Sequence, residues 1–157
     1  MGLGTPRPTI RLQRDGDLVK LVRPSDGEDL TAKMRAWAEK RVAQIAKMNL
    51  SGYVLKKDSP SCGMERVRVY DHNGSPGRDG RGIFAEVLME RLPLLPVEED
   101  GRLHDAKLRE NFFERAFAYD RLRKLFAEGW TAGDVVRFHS CEKLLLLSHD
   151  PKSYSDY

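Results

Sequence analysis

The sequence predicts an α/β domain over residues 1–100, followed by an all-α helical segment over residues 105–157. Three observations carry this. Short apolar runs bounded by turn residues alternate with helical spacing before residue 100. From Leu108 onward the apolar positions recur at steps of three and four. Between the two parts, Glu98-Glu99-Asp100-Gly101 reads as a linker.

Each element follows in order. Ile10, Leu12, Leu18, Val19, Leu21 and Val22 flank Asp15-Gly16-Asp17, which predicts extended segments joined by a tight turn. Beyond Pro24-Ser25-Asp26-Gly27, the positions Leu30, Met34, Trp37, Ala38, Val42, Ile45 and Met48 predict an amphipathic helix from Thr31 to Met48, with Thr31 as its N-cap. Tyr53-Val54-Leu55 is too brief for a helix and predicts a buried strand, so helix and strand together form half of an α/β unit. Asp58 to Arg81, rich in Gly, Pro, Ser and Asp, reads as one long loop, and loops of that length in a compact domain are usually functional. Ile83, Ala85, Val87, Leu88 and Leu92 restore helical spacing, and Leu94-Leu95-Pro96-Val97 predicts a last strand. A helix from Asp105 to Glu128 stops at Gly129. Thr131 and Asp134 then have capping-box spacing, with Trp130 and Val135 at the hydrophobic-staple positions. The helix they open should run from Ala132 to His149, where Asp150-Pro151 ends it.

With 40% apolar and 32% charged residues among 157, the chain has the composition of a folded domain, and a disordered tail is excluded. The 27 basic residues against 24 acidic ones give a formal charge of only +3, which permits a nucleic-acid partner without demanding one. The longest apolar run, Leu144 to Leu147, is far short of the roughly 18–20 residues of a membrane span. Met1-Gly2-Leu3-Gly4-Thr5-Pro6 has no apolar signal core. A cytoplasmic protein without membrane contact is expected. Cys62 and Cys141, in a chain with no secretory address, are then free thiols or metal ligands.

Three places could carry chemistry. Lys56-Lys57-Asp58-Ser59-Pro60-Ser61-Cys62-Gly63 leaves the carboxyl end of a predicted strand, where α/β proteins bind ligands, and brings hydroxyls, a thiol and an ammonium into one arc. The plainer alternative is a surface turn with a half-buried thiol. Asp71-His72-Asn73-Gly74-Ser75-Pro76-Gly77-Arg78-Asp79-Gly80-Arg81-Gly82 runs into a helix start whose free amides, with Arg78 and Arg81, would suit an anion. It matches neither the dinucleotide nor the P-loop glycine order, and a simple turn stands as the alternative. Third, Phe138 to His149 with Tyr154 places His139 and Lys143 on one helix face, for a partner, for nucleic acid or for solvent alone. His149 is turned away from His139, which argues against a zinc helix, and Cys141 reads as a small core or boundary residue.

Taken together, Gly2-Leu3-Gly4-Thr5-Pro6-Arg7-Pro8, Asp29-Leu30-Thr31, Lys56 with Ser59-Pro60-Ser61-Cys62-Gly63, and Tyr70-Asp71 through Gly80-Arg81-Gly82-Ile83-Phe84-Ala85 resemble the iron–sulfur thiouracil desulfidase family. Phe112-Phe113-Glu114-Arg115, Asp120-Arg121-Leu122, His139, Lys143, His149 and Tyr154 resemble the helical YbgA-type domain fused behind it. The resemblance implies a partial Rossmann-like domain and a 4Fe–4S cluster held by three cysteines. Its open iron would take sulfur from a thiolated pyrimidine, without net redox change. Cys62 is then the third cluster ligand. Ser59 is the hydroxyl that moves a proton or orients substrate, Ser61 is the second choice, and Lys56 steadies negative charge on the pyrimidine. The fused architecture implies 4-thiouridine in tRNA as substrate, with Arg78, Arg81, Arg121, His139 and Lys143 as candidate RNA contacts.

The sequence also departs from that family. Its other two cluster cysteines, one before Leu-Leu-Gly and one in a Cys-Pro-Glu segment whose Glu lies near the substrate, belong upstream of Gly2. Tyr157 falls partway into the helical domain. The expectation is a fragment, inactive by itself, with an incomplete α/β domain. Two further readings compete with the enzyme: a non-catalytic RNA-binding or interaction module, and Cys62 acting alone as a nucleophile through a lowered thiol pKa.

Overall fold

The computed structural model describes residues 8–155, so the Gly2–Arg7 part of the amino-terminal motif lies outside the described residues. β1 (Arg11–Asp15) and β2 (Leu18–Val22) form the expected hairpin, with Arg11 opposite Val22 and Asp15 opposite Leu18. Gly16 takes the positive φ of 60° that so short a turn requires. α1 (Thr31–Ala46) buries Met34, Ala38, Val42 and Ile45 at helical spacing. It ends short of Met48, because the Lys47 and Met48 amides turn back to the Gln44 and Ile45 carbonyls.

Thr31 does not cap this helix. Leu30 holds that position with no side-chain bond, and Thr31 is the first helical residue. Its hydroxyl oxygen instead accepts the Leu21 amide at 2.8 Å, tying the helix start to β2. Asp29 takes the capping role by accepting the Thr31 amide at 2.9 Å. The Thr31 hydroxyl first, and its amide second, hold the Asp29 carboxyl below the usual range.

The span from Asp58 to Arg81 is not one loop. It contains β4 (Val67–Tyr70) and β5 (Pro76–Gly80), which complete a four-stranded sheet in the order β2-β1-β4-β5. β4 runs parallel to β1, with Leu12 opposite Val69, and antiparallel to β5. Val67 and Val69 point into the core while Arg68 is exposed, the alternation of a half-buried strand. β5 is an edge strand, where Pro76 removes no needed ladder bond, and only Gly80 is buried.

β3 (Tyr53–Leu55) forms where a strand was predicted, although only Leu55 is buried and Val54 is exposed. Its parallel partner is β6 (Val97–Glu99), with Tyr53 opposite Val97 and Leu55 opposite Glu99. Glu98 and Glu99 are therefore strand residues, 4% and 2% exposed, and not linker. α2 (Ile83–Arg91) packs on α1. Ala38, Val42 and Ile45 meet Leu55, Phe84, Val87, Leu88, Leu95 and Val97 in one core, while Met34 and Leu30 close a second with Leu12, Leu21, Val67, Val69 and Ile83.

The helical segment follows as expected, with one break. A 3-10 turn, Arg102–His104, leads to α3 (Ala106–Ala127), whose N-cap Asp105 accepts the Lys107 and Leu108 amides at 2.8 and 3.2 Å. Gly129, at φ 80°, ends the helical course, and Thr131 with Asp134 forms a complete capping box on α4 (Ala132–Cys141). The predicted helix to His149 is interrupted at Glu142 and resumes as α5 (Lys143–His149). Glu142 is 7% exposed and accepts the Arg121 Nε–H of α3 at 2.6 Å, so this tether sits at the break. Pro151 does not stop helix formation but opens α6 (Pro151–Ser155), a first-turn position proline tolerates.

α3 is joined to the α/β part through the turn between α1 and β3. Phe112, its one buried residue, stands so close over Gly52 that a Cβ there would lie 2.9 Å from its ring. Ser51 donates to Asp120 at 3.0 Å, and Arg123 donates to Asn49 and Ser51.

Candidate active site

The chain leaves β3 at Leu55 and turns through Lys56 to Met64 before β4. Asp58 has a φ of 55°, and the Gly63 amide closes a turn on the Ser59 carbonyl at 2.8 Å. Inside this turn the Ser59 hydroxyl oxygen accepts the Cys62 amide at 3.3 Å. It lies 3.0 Å from the Ser61 hydroxyl, which in turn is 3.3 Å from Cys62 Sγ. Ser59, Ser61 and Cys62 are thus brought together as a chain of two hydroxyls and a half-buried thiol. A proton can pass along such a chain to or from the sulfur.

Two elements pin the loop. At the start of α2, the Phe84 and Ala85 amides donate to the Ser61 carbonyl at 2.8 and 3.3 Å, and Gly82 donates to the Gly63 carbonyl at 2.8 Å. Those amides serve the chain itself, which corrects the reading of this helix start as a free anion site. At the end of β6, Asp100 accepts the Lys57 amide at 2.9 Å and the Lys56 ammonium at 3.1 Å. Glu99 accepts the Met64 amide at 2.7 Å, and Glu98 accepts the Glu99 amide and the Arg102 Nε–H at 2.9 and 2.7 Å.

Lys56 therefore sits on Asp100, with its side chain 75% exposed. The Lys57 amide, and after it the Lys56 ammonium, hold the Asp100 carboxyl below the usual carboxylate range. A lowered folded-state pKa stabilises the fold above the unfolded value of about 3.9, and that contribution is lost as pH falls through the lowered folded value. Hydrogen exchange of the Lys57 amide should accordingly rise over its intrinsic rate as pH is lowered below 3.9, and Asp100→Asn should flatten that rise.

Arg78 and Arg81 flank the same loop and are engaged with it. Arg78 donates to Asp58 at 3.3 Å, and Arg81 Nε donates to the Met64 carbonyl at 2.9 Å. The other candidate contacts lie in the helical segment. Arg121 is held on Glu142, which raises its pKa. The His139 ring stacks on Tyr154 at 5.1 Å and 5°, beside a cavity of about 470 Å³ lined by Val135, Val136 and Leu146. Lys143 is exposed, and it belongs to α5 while His139 belongs to α4, so the two do not share one continuous helix. Cys141 is exposed and not a core or boundary residue, and α4 has no buried residue at all.

Among the described residues no group of three His, Cys, Asp or Glu side chains could hold a metal ion. Cys62 is one soft ligand beside two hydroxyls, and a cubane cluster needs three thiolates. The donor set among the described residues does not hold such a cluster by itself. The sequence reading missed Glu99 and Asp100. Their signal was present in a pair of acids placed immediately after a predicted strand, but charge alone reads as solvated.

The thiol and two hydroxyls thus lie on the loop after a parallel strand of an α/β protein, pinned against the next helix at the strand's carboxyl end, the end at which open α/β sheets bind ligands. The chain belongs to the 2-thiouracil desulfurase family, whose model matches residues 1–100 and so includes the whole Cys62 loop and both of its anchors. No curated protein and no solved structure matches the chain. No helix among the described residues is long and apolar enough to cross a membrane.

Proposed function

We propose that this chain supplies the Cys62 corner of a desulfurase that removes sulfur from thiolated pyrimidines, with 4-thiouridine in tRNA as the substrate. The contact chain Ser59–Ser61–Cys62, inside the stretch matched by the family model, carries this reading. In it Cys62 would be one of three thiolates on a 4Fe–4S cluster, the other two supplied from outside this sequence, whose second cysteine, Cys141, lies exposed on α4. The Ser59 and Ser61 hydroxyls hold or move a proton at the departing sulfur. Lys56, paired with Asp100 and largely in solvent, can swing its ammonium toward a pyrimidine that gains negative charge. Arg78 and Arg81 are the RNA contacts nearest the thiol, and Arg121, His139 and Lys143 extend the contact onto the helical segment.

The test is sulfide release from free 2-thiouracil and from 4-thiouridine in tRNA, measured anaerobically in a form that carries the two further thiolates. Cys62→Ala should lower release at least about 100-fold. The 157-residue chain alone should give no stable cluster absorbance after incubation with iron and sulfide. Unchanged release by the Cys62→Ala protein, or a stable cluster on the chain alone, would overturn the reading.

A further inference from the structure

The geometry points to Glu99 as the positioning residue for Cys62, an inference that takes the importance of Cys62 from the function proposed above. Glu99 is 2% exposed, and among the described residues its carboxylate has no cationic partner. A buried carboxylate is costly unless its oxygens are hydrogen-bonded. The bond it makes is to the Met64 amide, at 2.7 Å across from β6 to the loop.

That amide belongs to the same peptide unit as the Gly63 carbonyl, which accepts the Gly82 amide at 2.8 Å. The Gly63–Met64 unit, the second after Cys62, is therefore gripped at both ends, by the α2 start on its C=O and by Glu99 on its N–H, while the first is held by the Gly63 amide on the Ser59 carbonyl at 2.8 Å. Without Glu99 this plane keeps only its bond to Gly82, the loop loses its tie from Met64 to β6, and the turn that holds the Cys62 sulfur beside the Ser61 hydroxyl opens more often. The Cys62 and Gly63 amides are both held on Ser59, and neither bond fixes the Gly63–Met64 plane.

The experiment uses the full chain in a Cys141→Ser background, so that Cys62 is the one thiol read. Iodoacetamide alkylation of Cys62 is timed across pH, and amide exchange is followed by mass spectrometry. Glu99→Ala should speed alkylation about tenfold or more, the change expected when one charge-assisted hydrogen bond leaves a local opening equilibrium. The increase in exchange should be confined to the Ser59–Met64 stretch. Glu99→Gln, which keeps an acceptor oxygen, should stay within about threefold of the parent.

An unchanged rate in Glu99→Ala overturns the inference. So does a rise that Glu99→Gln fails to restrain, or one that accompanies equal loosening of β1 and β4, since the residue would then support the fold at large. Because alkylation needs neither cluster nor substrate, this behaviour in the chain together with no sulfide release from the form that carries the two further thiolates would refute the proposed function and leave the positioning role intact.

Discussion

Gly82→Ala is expected to destabilise the fold by about 2–4 kcal/mol and to detach the Cys62 loop from α2. A Cβ at this position would lie 2.4 Å from the Ser61 carbonyl carbon and 2.5 Å from the Cys62 amide nitrogen. Both are backbone atoms, so no side-chain rotation relieves the contact. The backbone angles of Gly82 are ordinary, φ −67° and ψ 137°, so the constraint is space and not conformation. Thermal melting should show the loss, and Cys62 alkylation should quicken with it. Gly101→Ala is the control. Its Cβ would meet Lys57 Cδ at 2.5 Å, the middle of a flexible chain that can move aside, and the change should fall within about 0.5 kcal/mol. Equal melting of the two variants would refute the argument.

Phe112→Ala should cost about 3–5 kcal/mol at the joint between the α/β part and the helical segment. Phe112 is 6% exposed and is the single buried residue of α3, set over the glycine at position 52 where no side chain intervenes. Beside it Tyr119 packs partly buried against the α/β core and Ala116 lies near Gly52, and the polar ties are Ser51 with Asp120, and Arg123 with Asn49 and Ser51. The polar ties are partly exposed, and Tyr119 and Ala116 are not fully buried, so they do not replace the anchor that Phe112 supplies. Limited proteolysis should therefore cut between α3 and α4, near Gly129, much sooner in the variant, while exchange in β1 and β4 stays slow. Parent-like resistance to cleavage would show that the polar ties suffice.

Much of this architecture was legible where periodicity and burial agree. Met34, Ala38, Val42 and Ile45 announce α1 because the same spacing that reads as helical also faces the core. The hairpin around Gly16 and the capping box at Thr131 were equally readable, since a turn and a cap depend on residues next to one another. β5 was not. Pro76-Gly77-Arg78-Asp79-Gly80 has no apolar residue, and it is a strand only because β4 offers it an edge to pair with. Glu98 and Glu99 were missed for a related reason. Glu99 is buried against a partner distant in sequence, the Met64 amide, and Glu98 against Arg102, four residues on, a contact that needs the turn after β6. At the site, the grouping of Ser59, Ser61 and Cys62 followed from adjacency in the chain. The anchors did not, because they come from the α2 start and the β6 end. Thr31 was misassigned as a cap because its hydroxyl found a better use on β2.

The pairing of β1 with β4 has a consequence for the order in which the protein emerges from the ribosome. The β1–β2 hairpin leaves the exit tunnel early, but a lone hairpin is marginal in water, and its open edge is filled only when Val69 and Tyr70 have followed. Cys62 emerges before Gly82, Glu99 and Asp100, so on the nascent chain its thiol is untethered. Any factor that must reach this sulfur before its loop is pinned has to act while the segment through Asp100 is still being translated and folded.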